Sequence, residues 1–235
     1  MDETANMRTE MLIGKAAAAE LKNCRVAVFG VGGVGGYAVE ALARAGVGSI
    51  DLIDNDTVSL SNINRQIIAL HSTVGRYKVD VLRERILDIN PDCNVICHKV
   101  FLLPDTADKF DFSQYDYIID AIDTVTGKKQ LILSAKAAGT PIISAMGAGN
   151  KLGTAAFEVA DIYDTSVCPL ARVMRGICKE NGIRKLKVVY SKEPPIKSSE
   201  NSNSGEKQTP GSISFVPALC GLTIAGEVVR ELIGK

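Results

Sequence analysis

The chain has 235 residues, 27 basic against 27 acidic side chains, and a formal net charge of zero. Hydrophobic residues make up 46% and charged residues 23%, which excludes an intrinsically disordered chain. No apolar run reaches the roughly 18 residues of a membrane helix; the nearest, 213–233, carries Glu227 and Arg230 and reads as a helix of a soluble core.

In chain order, residues 9–22 read as a helix and 25–29 as the first strong strand. The sequence GVGGVG at 30–35 follows, then an alanine-rich helix ending near Gly46. A second strand, 49–53, stops at Asp54. Within 76–90, Val79, Leu82, Ile86 and Ile89 fall at helical spacing, and Pro91 closes the segment. Strands are expected at 94–101, 115–120 and 141–145, with a helix over 128–138 between the last two. This β-α-β order predicts an α/β, Rossmann-like, mostly parallel sheet with helices on both faces. In the second half, 155–159 and 186–190 read as strands that extend the sheet in antiparallel fashion. Residues 198–211 hold no large apolar side chain and read as a mobile loop before an apolar terminal helix. One domain, 1–235, is expected. The N-terminus lacks a signal-peptide layout, so a cytoplasmic location is expected.

Six cysteines lie at 24, 93, 97, 168, 178 and 220, and no pair has C-x-x-C spacing. Neither a zinc site nor a disulfide framework is expected. His71 and His98 have no ligand-like companions in sequence.

Gly30, Gly32 and Gly35 satisfy G-x-G-x-x-G between a strand and a helix. Glycines there let backbone N–H groups approach phosphates, and the helix N-terminus adds partial positive charge. Asp54 lies 19 residues after Gly35, where a carboxylate accepts from ribose hydroxyls. Nicotinamide and flavin enzymes use the same pattern. The polar segment LSNINRQ at 60–66 favours a triphosphate instead: Arg65 offers a planar fork, Asn62 and Gln66 orient it, and Lys78 adds a point charge. Asp120 and Asp123 end a strand at the carboxyl edge of the sheet, and Asp123 suits Mg²⁺, which binds through few carboxylates plus phosphate oxygens.

Together these residues resemble the adenylating enzymes related to ubiquitin-activating enzymes and bacterial sulfur-carrier adenylyltransferases. The matching signature is Gly30, Gly32, Gly33 and Gly35, then Asp54 and Asp56, then Asn62, Arg65 and Gln66, then Lys78, Asp120 and Asp123. The resemblance implies that Asp54, Asn62, Arg65, Gln66, Lys78 and Asp123 hold ATP and Mg²⁺. It also implies a homodimer, with Arg65 reaching into the partner's site, and an approach of Arg8 to ATP. Sulfur-carrier adenylyltransferases usually carry two C-x-x-C zinc pairs, which are missing here. The segments VYSKEPP at 189–195, GSISFVP at 211–217 and VCPLARV at 167–173 look instead like the tRNA threonylcarbamoyladenosine dehydratases. Those enzymes dehydrate a modified adenosine beside the anticodon with ATP, and some work alongside sulfur-relay proteins. The resemblance to the wider family, where catalytic cysteines form thioesters, offers Cys168 for that role, but nothing near it in sequence is an evident base. A sulfur-carrier adenylyltransferase and a nicotinamide-dependent oxidoreductase stand as the alternatives.

Charge is unevenly spread. Residues 168–197 carry eight basic and two acidic side chains, a net +6 that leaves −6 for the remainder. Arg172, Arg175, Arg184, Lys185 and Lys187 are the candidate tRNA contacts.

Overall fold

The computed structural model describes residues 5–154, 157–196 and 210–234. Two short helices, α1 (Met7–Ile13) and α2 (Lys15–Leu21), stand where one was expected, because Gly14 at φ +91° breaks the run. Then come β1 (Arg25–Phe29), α3 (Gly35–Ala45), β2 (Ser49–Ile53), α4 (Lys78–Ile89), β3 (Asn94–His98), β4 (Tyr117–Asp120), α5 (Val125–Ala138) and β5 (Ile142–Ala145). The second half adds β6 (Phe157–Asp161), α6 (Pro169–Glu180), β7 (Lys187–Ser191) and α7 (Phe215–Leu232). Of the loop expected at 198–211, residues 198–209 lie outside the described residues, and Pro210 and Gly211 have irregular backbone.

The seven strands form one sheet in the order β3-β2-β1-β4-β5-β7-β6. Every pairing is parallel except that of β6 with β7. The antiparallel extension is therefore β6 alone; β7, expected to be antiparallel, runs parallel to β5. Alternate residues of β1 serve two cores. Val26 and Val28 pack with Leu42 of α3, Leu82 of α4 and Ile224 of α7. Ala27 and Phe29 pack with Leu131 of α5 and Met174 of α6. Burial on both faces is why these strands are apolar throughout rather than alternating. Helix α6 was not evident from the sequence. Its buried residues are only Ala171, Met174 and Cys178, flanked by the partly buried Leu170 and Ile177 and interleaved with basic residues. Helix α7 is buried by seven of its residues, and among the described residues no helix is long and apolar enough to cross a membrane.

One charged cluster ties three strands together. Asp51 of β2 receives a bidentate pair from Arg25 of β1 at 2.8 and 2.9 Å and contacts His98 of β3 at 2.9 Å. Burial pushes the Asp51 carboxyl up, but the His98 and Arg25 hydrogen bonds outweigh it and hold the group below its usual range. A lowered carboxylate pKa gives stability that is present above the unfolded value and lost as pH falls through the folded one. Asp51→Asn should cost about 3 kcal/mol in urea unfolding at pH 7, the cost of breaking a buried pair. The difference from wild type should close as pH falls below about 4.

Candidate functional site: a glycine-loop cavity at the switch point

The strand order reverses between β1 and β4, and a cavity of about 590 Å³ opens at their carboxyl ends. This is where open α/β sheets take ligands. Gly30 leaves β1 at φ +84°, and a Cβ there would lie 2.6 Å from the Ala121 carbonyl oxygen. A Cβ on Gly35 would drive into the Gly30 carbonyl. Only glycine permits this turn. Asp54 fixes the loop from the side, accepting from Val31 N–H at 2.9 Å and Asp56 N–H at 2.8 Å. Burial pushes its carboxyl above the ordinary range, against the opposing pull of Lys78.

The cavity wall gathers Gly30, Gly32, Gly33, Asp54 and Asp56 from the first βα unit. Asn62, Arg65, Gln66, Lys78 and Asp123 join them, whereas Gly35, Asp120 and Arg8, also named from the sequence, do not line the cavity. Lys78 is buried and pairs with Asp56 at 2.6 Å. Asn62 is buried and accepts from Ser59 N–H at 3.1 Å, so it shapes the turn that presents Arg65. Gln66 Oε1 is buried on this wall and has no hydrogen-bond partner among the described residues. Two cations, a glycine cradle and an unsatisfied buried acceptor suit a nucleoside polyphosphate. The lone carboxylate of Asp123 suits an ion whose other ligands are phosphates and water. Among the described residues no group of three or more His, Cys, Asp or Glu side chains could hold a metal unaided.

Arg65 lines the cavity of its own chain. Several expectations change. Arg8 is exposed on α1 and does not line the cavity. Asp120 is fully buried and faces away from the cavity. Its Oδ2 accepts from Lys128 Nζ at 2.8 Å and from Ser144 Oγ, and its Oδ1 accepts from Ile122 N–H at 3.1 Å. It thus braces the turn that carries Asp123. Lys187 is paired with Glu227 at 2.6 Å and with Glu231, which removes it from the free basic surface. Arg175 is half-buried and donates to Thr165 Oγ1 at 3.0 Å, whereas Arg172, Arg184 and Lys185 are exposed. Cys168 is buried against Gly147 and is not part of the cavity wall. Sequence reasoning missed the apolar lip formed by Val100, Phe101, Leu102 and Leu103, and the opposite lip at Gly149 and 210–212. The first was signalled by an apolar run that outlasts its strand; the second had no local signal.

The chain belongs to the ThiF family, which matches residues 5–235. It is similar to the tRNA threonylcarbamoyladenosine dehydratase of Bacillus subtilis, with 44% identity covering 96% of this chain and 93% of that protein. It superposes on the crystal structure of E. coli tRNA N6-threonylcarbamoyladenosine dehydratase, TcdA, in complex with ATP, with a TM-score of 0.89. That match has 33% identity and covers 97% of this chain and 93% of the other. The adenylyltransferase and sulfurtransferase UBA4 of Saccharomyces cerevisiae is 39% identical, but over only 59% of this chain and 31% of its own length.

The Asp120–Lys128 pair is fully buried, so removing one partner strands a charge. Lys128→Met should cost about 3–5 kcal/mol in urea unfolding, and the double variant Asp120→Asn/Lys128→Met should recover most of it.

Proposed function

We infer that this chain is an ATP-dependent tRNA threonylcarbamoyladenosine dehydratase, acting in the cytoplasm on the modified adenosine beside the anticodon. The observation that carries this reading is the end-to-end likeness to the Bacillus subtilis dehydratase. The likeness to UBA4 stops well short of either chain's full length, which weighs against sulfur-carrier activation. A nicotinamide enzyme leaves Arg65, Lys78 and Asp123 without a task.

The chemistry follows from a carboxylate being a poor electrophile. A carboxylate oxygen of the threonyl group attacks the α-phosphate of ATP, the second substrate, and pyrophosphate leaves. A carbamoyl nitrogen of the same side chain then attacks the acyl carbon. It loses its proton, and AMP departs with the carboxylate oxygen. The nucleoside is lighter by one water. Ring closure is intramolecular, and effective molarities for such steps reach about 10⁵–10⁸ M. No enzyme nucleophile is required, which agrees with the buried position of Cys168.

The protein's work is positioning and charge neutralisation. Loop amides at Gly32 and Gly33, with Arg65 and Lys78, receive the phosphates. Asp54 accepts from the ribose hydroxyls, and Gln66 offers its unpaired oxygen to a ligand donor. Asp123 would hold Mg²⁺, which neutralises phosphate charge when bound. We propose a homodimer as the working form. Helix α1 has seven residues and buries none, yet exposes Met11 and Leu12; such a helix needs a covering surface. Arg8, exposed on the same helix, is the residue that the family resemblance brings toward ATP.

Transfer RNA is read along α6. The helix starts beside Gly147, at the cavity edge of the sheet, and leads to Arg184 and Lys185 just before β7, at the opposite edge. Twelve residues span about 18 Å, so Arg172 and Arg184 together suit an extended polyanion.

Incubation with ATP, Mg²⁺ and tRNA, followed by nucleoside mass spectrometry, should show loss of one water from threonylcarbamoyladenosine. Arg65→Ala should lower that turnover by about 10³-fold or more; near-normal turnover would remove Arg65 from the site. Filter binding against salt should give a steep slope for tRNA, and Arg184→Glu/Lys185→Glu should flatten it by about two units. An unchanged slope would move the RNA surface elsewhere.

A further inference from the structure

Arg65 is held by two hydrogen bonds at one guanidinium nitrogen. Its Nη1 donates to the Ser61 carbonyl at 2.8 Å and to Asn64 Oδ1 at 3.0 Å. The other end of the Asn64 amide is also engaged: Nδ2 donates to the Ser212 carbonyl at 3.0 Å, across 148 residues of chain. The neighbouring Gly211 is locked to Asn150 twice. Its N–H donates to Asn150 Oδ1 at 2.6 Å, and its carbonyl accepts from Asn150 N–H at 2.8 Å. The Asn150 carbonyl in turn accepts from Ile196 N–H at 2.7 Å. Asn150 sits at φ +56°, a left-handed conformation that asparagine tolerates better than other side-chain-bearing residues.

The 150 turn is itself anchored. The Glu193 carboxylate accepts from Leu152 and Gly153 N–H at 2.8 and 2.9 Å, and Lys151 donates to the Glu193 carbonyl. Arg65, Gly149, Gly211 and Ser212 all line the cavity, while neither Asn64 nor Asn150 does. Two second-half segments, 189–195 and 211–217, thus converge on the one arginine of the cavity wall.

We propose that Asn64 and Asn150 are positioning residues for Arg65, joined through Gly211 and Ser212 into a relay that sets the guanidinium before ATP binds. The proposal rests on the reading of Arg65 as a phosphate ligand. Fixing a long side chain beforehand spares its rotamer entropy on binding. It also makes the affinity for phosphate depend on the conformation of the second-half lip.

The test is a double-mutant cycle read by titration calorimetry with ATP, and with adenosine as a probe that lacks phosphate. Asn64→Ala and Asn150→Gly, the latter keeping the left-handed backbone, should each weaken ATP binding about 10-fold. Both should leave adenosine binding unchanged. In an Arg65→Ala background neither should weaken ATP further, and Asn150→Asp, which keeps the acceptor, should bind ATP as wild type does. The relay is overturned if Asn64→Ala costs the same with and without Arg65, if it leaves ATP affinity intact, or if adenosine affinity falls with it. Should Arg65→Ala alone leave ATP affinity unchanged, the phosphate role of Arg65 fails first and the relay with it. Thermal melts of each variant confirm that the fold is retained.

Discussion

The carboxyl ends of β1 and β4 come so close that Gly30 and Ala121 leave no room for a single methyl group between them. Everything around the cavity depends on that approach. It brings the glycine loop and the Asp123 turn to one mouth, and it requires both turns to be rigid. The rigidity comes from two buried carboxylates. Asp54 accepts from Val31 and so holds the glycine loop, whereas Asp120 accepts from Lys128, Ser144 and Ile122 and so holds the opposite turn. Neither carboxylate was free to be placed elsewhere: each satisfies backbone donors that close packing had cut off from water.

A site for polyphosphate lined by three aspartates looks self-defeating on charge alone. The geometry resolves it. Asp54 is buried and already accepts from two amides, and the exposed Asp56 is paired with Lys78. Asp123 alone of the three has neither an amide nor a cation paired with it among the described residues, so the wall's negative charge is largely offset before a ligand binds. The Lys78 ammonium has three donors, so the Asp56 pair occupies one and leaves others for phosphate. Asp56 therefore anchors a buried cation that would otherwise carry an uncompensated desolvation cost.

Most of the cavity wall was legible because its parts lie within the first 123 residues, at strand ends or in the polar segment and helix start that follow β2. The parallel sheet was legible for the same reason. What escaped reading depends on contacts between distant segments. Asp120 is spelled like a ligand but turns inward to Lys128 and Ser144, 8 and 24 residues away. Lys187 belongs to a basic run, yet Glu227 and Glu231 of α7 neutralise it. The direction of β7 is set by its pairing with β5, and α6 hides its narrow apolar stripe among arginines. Arg65 shares the cavity wall with a lip at 210–212 that folds back from the second half, a return set by long-range contacts.

The zero net charge takes its meaning from the same long-range pairings. Of the eight cations in 168–197, Lys187 and Lys192 are matched by Glu227, Glu231 and Glu158, all from outside that segment. Arg175 is turned toward Thr165, and Lys197 lies outside the described residues. Arg172, Lys179, Arg184 and Lys185 remain exposed along and just beyond α6. Four cations supply orientation and encounter rate more than tight binding, since each phosphate contact contributes about one unit of salt slope. On the proposed reading, a surface this sparse would leave discrimination to the cavity. There the substrate's carboxylate would meet ATP beside an arginine hydrogen-bonded to Asn64, which is tied in turn to Ser212 of the second half.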